Sequence, residues 1–206
     1  GLRPIHDVLI NDSYQLLKLL VNAGLDLECE NNDGRRPIHS ACRYSSEKCI
    51  KLLIDLGVDV HSETKSGWSA LAFTCGHNKP EAAKRFVEMG VNINTANDKG
   101  WRPIHLACRH NLFEIVKLLI DNNVDLECTT NNGWNPIHFA CRYCSFDVVE
   151  MLVESGANLT CSFNDGWMPI HYASRYGSFN TVKLLIENGV DLNCVTDLGY
   201  TPISFA

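Results

Sequence analysis

Ten cysteines and eight histidines in 206 residues are the side chains with the most chemistry to offer. Four such donors converging at ~2.0–2.3 Å would hold a zinc ion. A cysteine beside a histidine would make a nucleophile. Their spacing speaks against both. His6, His39, His105, His138 and His171 fall on one register, Cys42, Cys75, Cys108 and Cys141 on a second, and Cys29, Cys128, Cys161 and Cys194 on a third. Each register advances in steps of 33 residues or multiples of 33. Residues so placed occupy equivalent positions in successive structural units, roughly 10 Å apart, about one helix diameter. That is too far to share an ion, and too far for a disulfide, which needs Cα atoms within ~7 Å. The histidines are therefore expected to make structural hydrogen bonds near a turn, and the cysteines to pack as small apolar side chains. Cys141 and Cys144 form one isolated Cys-x-x-Cys, with no second pair to complete a zinc site.

The elements that carry these registers follow from the same period. Glycine recurs at Gly1, Gly34, Gly67, Gly100, Gly133, Gly166 and Gly199 without insertion. Proline follows at Pro37, Pro103, Pro136 and Pro169, where it is tolerated at the first position of a helix. Each starts a helix of about two turns. A second helix carries the apolar stretches Leu16 to Val21, Cys49 to Ile54, Ile115 to Ile120, Val148 to Val153 and Thr181 to Ile186. It ends at Gly24, Gly57, Gly90, Asn123, Gly156 and Gly189, residues that accept the left-handed conformation. An Asn/Asp/Gly-rich turn such as Asn131-Asn132-Gly133 then projects toward the next unit.

A unit of one turn and two helices cannot bury its own apolar faces; stacking buries them. The expected architecture is all-α: one solenoid domain over 1–206, with units 1–33, 34–66, 67–99, 100–132, 133–165, 166–198 and a partial 199–206. The pattern resembles the ankyrin repeat family, whose signature is Thr-Pro-Leu-His-x-Ala in a 33-residue unit. Here it reads Pro-Ile-His-x-Ala at Pro37 to Ala41, Pro103 to Ala107, Pro136 to Ala140 and Pro169 to Ala173.

There are departures from that pattern. The family's capping Thr is kept as Thr201 and replaced by Arg3, Arg36, Arg102, Asn135 or Met168; Arg and Met are poor N-caps. The glycine between the two helices survives as Gly177, with Ser45, Asn78, Asn111 and Cys144 elsewhere. The unit 67–99 departs furthest. It has Ala70-Leu71-Ala72 in place of Pro-Ile-His, and Arg85 where a core Leu is expected. It is expected to be the least stable interior unit. Neither end shows a polar capping repeat, so the chain is expected to be a segment of a longer protein.

All four tryptophans, Trp68, Trp101, Trp134 and Trp167, directly follow the period glycine, and Tyr200 extends their column behind Leu2 and Arg35. They either close the gaps between turns or form an exposed aromatic ladder. The family resemblance implies that this position contacts partners, as do the residues ending the first helix: Arg43, Tyr44, His77, Arg109, His110, Arg142, Tyr143, Arg175 and Tyr176. Trp, Tyr and Arg are enriched at binding hot spots. A concave strip of these residues is therefore the expected partner-binding site. Its partner would be a protein or peptide with acidic or phosphorylated groups and apolar side chains.

A net charge of −6 argues against nucleic acid as the main partner, which demands broad positive potential. No apolar run reaches the ~18 residues of a membrane span. No secretion signal opens the sequence, and the cysteine spacing indicates a reducing compartment, so an intracellular, cytoplasmic or nuclear setting is expected. No phosphate-binding Gly loop, nucleophile elbow or compact His/carboxylate cluster is present. The expected function is a non-catalytic interaction scaffold or adaptor without cofactor, monomeric in this segment. The alternatives are a targeting module for an enzyme or channel lying outside these residues, and a structural spacer.

Overall fold

The computed structural model describes residues 3–143, 145–176 and 179–205. Gly1, Leu2, Cys144, Gly177 and Ala206 of the sequence reading lie outside them. Twelve α-helices run through the described residues: α1 (Pro4–Ile10), α2 (Tyr14–Asn22), α3 (Pro37–Tyr44), α4 (Glu47–Asp55), α5 (Ala70–Gly76), α6 (Pro80–Glu88), α7 (Pro103–Arg109), α8 (Phe113–Asp121), α9 (Pro136–Arg142), α10 (Phe146–Glu154), α11 (Pro169–Arg175) and α12 (Phe179–Glu187). A 3₁₀ turn over Pro202–Phe205 follows. Among the described residues there is no strand, only two isolated β-bridges in the turns, Glu63 to Ser69 and Phe163 to Trp167.

The chain divides into two compact units, Gly1–Asp98 and Lys99–Ala206. In the first, α1, α3 and α5 pack side by side, α2, α4 and α6 form the second row, and each first helix packs on the second helix of its own repeat. In the other unit α7, α9, α11 and the 3₁₀ turn make the first row, and α8, α10 and α12 the second. This is the all-α ankyrin solenoid arrangement expected from the period.

The core sits between the two rows. Ile38, Ile50, Leu53, Leu71 and Phe86 are closed off in the first unit; Ile104, Ile115, Leu119, Ile137 and Leu152 are closed off in the second. Arg85 is a correction. It is half-buried and pairs with Asp55 at 2.6 Å. Leu52, Leu118, Met151 and Leu184 at the same register are also only half-buried. That column lies at the edge of the helix face, where an arginine stem can cover apolar surface while its head stays wet.

The histidine column explains how helices without Thr caps begin. Nδ1 of His39, His105, His138 and His171 accepts the backbone N–H of Arg36, Arg102, Asn135 and Met168, at 3.0, 3.0, 3.2 and 3.1 Å. Proline removes the next donor outright. Because Nδ1 accepts, Nε2 carries the proton of the neutral ring. Nε2 donates to the carbonyls of Ser62, Cys128 and Cys194 for His39, His105 and His171, at 3.0, 3.2 and 3.3 Å. Each ring thus ties the start of a first helix to the loop leaving the second. The unit 67–99 lacks this histidine and uses Ser69, whose hydroxyl accepts the Ala72 N–H at 3.2 Å. Ser69 is thus a conventional N-cap where the other full units have Arg, Asn or Met.

The projecting turns are zipped by backbone: Lys65 N–H to Asp33 O and Asp98 N–H to Ser66 O in the first unit, and Asn131 N–H to Lys99 O and Asp197 N–H to Asp165 O in the second, at 2.9–3.1 Å. The period glycine makes this approach possible. Gly100 has φ +74°, and a Cβ there would lie 2.7 Å from the Asn131 backbone nitrogen. Gly90, at the end of α6, has φ +76° with open space around it. Gly90→Ala is expected to cost about 1–2 kcal/mol from the left-handed conformation alone. Gly100→Ala adds a backbone clash and is expected to cost about twice as much. Equal urea midpoints for the two variants would contradict this account.

Candidate functional site

In the unit Lys99–Ala206 the three tryptophans stand half-buried on one aligned edge, each directly after its glycine. The residue following the histidine in α9 and in α11 fills the space between them. Phe139 lies 4.8 Å from both Trp101 and Trp134, ring centre to ring centre. Tyr172 lies 4.8 Å from Trp134 and 4.9 Å from Trp167. Phe205 continues the series, 4.9 Å from Trp167 and 5.5 Å from Tyr200. Phe163 braces Trp134 from the neighbouring turn at 5.0 Å. Tilted contacts at these distances suit the ring quadrupoles.

The interleaving rings were not singled out in the sequence. The signal was there: the register Ser40, Phe73, Leu106, Phe139, Tyr172, Phe205 turns aromatic over its last three members. Phe139 and Tyr172 are only 5% exposed, so they act as spacers and the indoles as the half-covered rungs.

On this ladder stand the arginines that end the first helices. The guanidinium of Arg109 lies 5.5 Å from the Trp101 ring centre, Arg142 5.6 Å from Trp134 and Arg175 5.5 Å from Trp167. Tyrosines flank them: Tyr143 at 5.8 Å from both Arg109 and Arg142, and Tyr176 at 5.1 Å from Arg142 and 6.0 Å from Arg175. Tyr143 and Tyr176 are exposed, as are Arg109 and Arg175, while Arg142 is half-buried. Among the described residues none of these three guanidiniums pairs with a carboxylate. By contrast Arg36 is held by Glu28 and Asp59 at 3.0 and 2.8 Å, and Arg102 by Asp125 at 2.9 Å. His110 is the exposed C-cap residue of α7 and Tyr200 is exposed on the last turn.

The first unit carries a sparser version. Arg35 lies over Phe73 at 5.7 Å and Arg43 over Tyr44 at 5.1 Å. Trp68 is 6.2 Å from Phe73, and His77 6.4 Å from it, with its Nδ1 on the Phe73 carbonyl at 3.0 Å. Burial lowers the His77 pKa. The first unit also has a cavity of about 490 Å³ between α4 and α6, lined by Lys48, Lys51 and Arg85 together with Glu47 and Glu81. Its mixed charges do not converge on a point.

Two contacts have the composition of a catalytic pair. Cys128 Sγ is 3.5 Å from His105 Nε2, and Cys194 Sγ is 3.9 Å from His171 Nε2. Burial pushes the Cys128 thiol up to about 12, and the His105 ring down to about 4. The proton stays on sulfur, and a thiol so held is not a nucleophile. Among the described residues no cysteine is in a disulfide. Cys42, Cys75, Cys108 and Cys141 are completely buried. These four are expected to react with a thiol reagent only after denaturation, with the half-exposed Cys161 and Cys194 reacting first. Fast labelling of Cys75 in the native chain would contradict this.

The comparisons with known proteins come out uniformly. Models of ankyrin repeats match residues 5–97, 46–130 and 70–163, and a further model of multiple ankyrin repeats matches 142–186. No curated protein sequence matches. Among solved structures, the human ASB11 ankyrin repeat domain superposes with a TM-score of 0.89 at 24% identity, over 100% of this chain and 92% of that one. The ankyrin repeat domain of Bcl-3, described as a unique member of the IkappaB protein family, gives 0.75 at 23% identity, over 100% and 94%. No helix among the described residues is long and apolar enough to cross a membrane. With its period, its histidine-tied helix starts and these matches along most of its length, the chain belongs to the ankyrin repeat family.

Proposed function

We propose that this chain is a non-catalytic interaction scaffold that grips a partner protein through its Trp/Arg/Tyr strip. Ankyrin repeat domains in general are protein-interaction modules, and such function resides in the site grafted on the fold. The observation that carries the reading is the set of Arg109, Arg142 and Arg175, each stacked on an indole and none paired with a carboxylate among the described residues. Stacking fixes the plane of a guanidinium and leaves its edge donors for an incoming carboxylate or phosphate. The partner is a protein or peptide with acidic or phosphorylated groups beside apolar side chains. Within the first unit, taken by itself, Arg35, Arg43, Tyr44, Trp68 and His77 are the residues assigned to partner contact. The free thiols favour an intracellular setting.

The test separates binding from folding. Tryptophan is an ambiguous probe, because Trp134 contacts four other aromatic rings. Arg142→Ala combined with Arg175→Ala is the sharper variant. Co-precipitation of a partner captured by the intact chain is expected to fall at least about tenfold, near 1.4 kcal/mol, with an unchanged melting curve. Undiminished capture by the folded variant would rule out the strip as the site.

A further inference from the structure

We propose that the ladder of Lys99–Ala206 binds an acidic segment in the polyproline II conformation, carrying a carboxylate at every third residue. This rests on the scaffold reading above and specifies the shape of its partner. Phe139 stands 4.8 Å from the indoles on both sides, so Trp101 and Trp134 are at most twice that distance apart. Tyr172 sets the same limit between Trp134 and Trp167. The guanidiniums sit at nearly the same offset from their indoles, 5.5, 5.6 and 5.5 Å, so the cations are taken to repeat at about the interval of the rings.

Helices packed side by side lie about 8–10 Å apart, so the rungs recur at no less than about 8 Å and, from the ring contacts, at no more than twice 4.8 Å. Of the regular backbones, polyproline II matches this range. It has three residues per turn at 3.1 Å, so one face recurs every ~9.3 Å. A β-strand recurs on one face every ~6.7 Å and points away at the third residue. An α-helix returns to the same face over two turns only after ~10.5 Å, wider than the rungs allow. Charge complementarity selects the carboxylate, since the three arginines are without an acidic partner among the described residues. The rings between them offer flat apolar surface to the intervening residues, and proline suits both that surface and the conformation.

The probes are two synthetic peptides of identical composition titrated into the whole chain by calorimetry. One is Pro-Pro-Glu repeated three times; the other has its glutamates at alternate positions. The in-register peptide is expected to bind about tenfold tighter, and Arg142→Gln or Arg175→Gln to weaken it by about fivefold to tenfold. The control peptide is expected to lose little by either substitution. Equal affinities, tighter binding of a helical peptide with glutamate at every seventh position, or no binding of the in-register peptide would each overturn the proposal. So would concentration-dependent self-association abolished by Arg142→Gln, which would assign the surface to a second copy. Equal affinities that still depend on Arg142 would remove the register and leave the scaffold reading intact.

Discussion

Lowering the pH from 7 to 5 is expected to destabilise the folded chain by roughly 2 kcal/mol for each of His39, His105 and His138. Burial holds all three well below the ordinary value, at about 4 against 6.5. Above pH 6.5 both the folded and the unfolded chain carry these rings neutral, and nothing is lost. As pH falls below 6.5 the unfolded chain takes up protons that the folded chain refuses. Stability therefore declines through the interval from about 6.5 to about 4 and levels off below it. Ordinary carboxylates are still largely ionised at pH 5, so the upper part of this interval isolates the histidines. The urea midpoint is expected to drop by 1 M or more between pH 7 and pH 5, given slopes of about 1–3 kcal/mol per M. Identical midpoints at the two pH values would show that the rings accept protons in place.

Phe139→Ala is expected to cost about 3–5 kcal/mol, the range for emptying a buried aromatic site. The ring is 5% exposed and touches Trp101, Trp134 and His105. Its removal takes one packing face from each of two indoles, and indole emission is expected to shift to longer wavelength. Phe139→Leu is expected to cost less than about 1.5 kcal/mol, since Leu106 occupies this register one unit earlier. A Phe139→Ala chain within 1 kcal/mol of the parent would mean that the indoles close up without their spacer.

The fold was legible because each signal in it is local. Proline placed the starts of α3, α7, α9 and α11, and glycine or Asn123 placed the ends of the second helices, all with positive φ. Asn78 and Asn111 take the left-handed conformation expected where they replace glycine, both with φ +54°. Ser45 does not: it is extended, and α3 runs to Tyr44. What the sequence hid lies in contacts between units. Aligning columns puts Trp101 beside Trp134, but the ring that touches both is Phe139, offset across a unit boundary. Arg85 was misread for a related reason, since apolar residues at its register suggested a core that the helix face does not reach. The partner-binding role of the strip is a matter of what approaches it, and no column encodes that.

The isolated guanidiniums have an effect at a distance. The unit Lys99–Ala206 contains seven basic and eleven acidic residues, yet three of the seven cations stand together on its ladder. With no carboxylate paired to them among the described residues, these cations give the ladder a locally positive field on a unit of net negative charge. That field orients an anionic chain before any contact forms and raises the encounter rate most at low ionic strength.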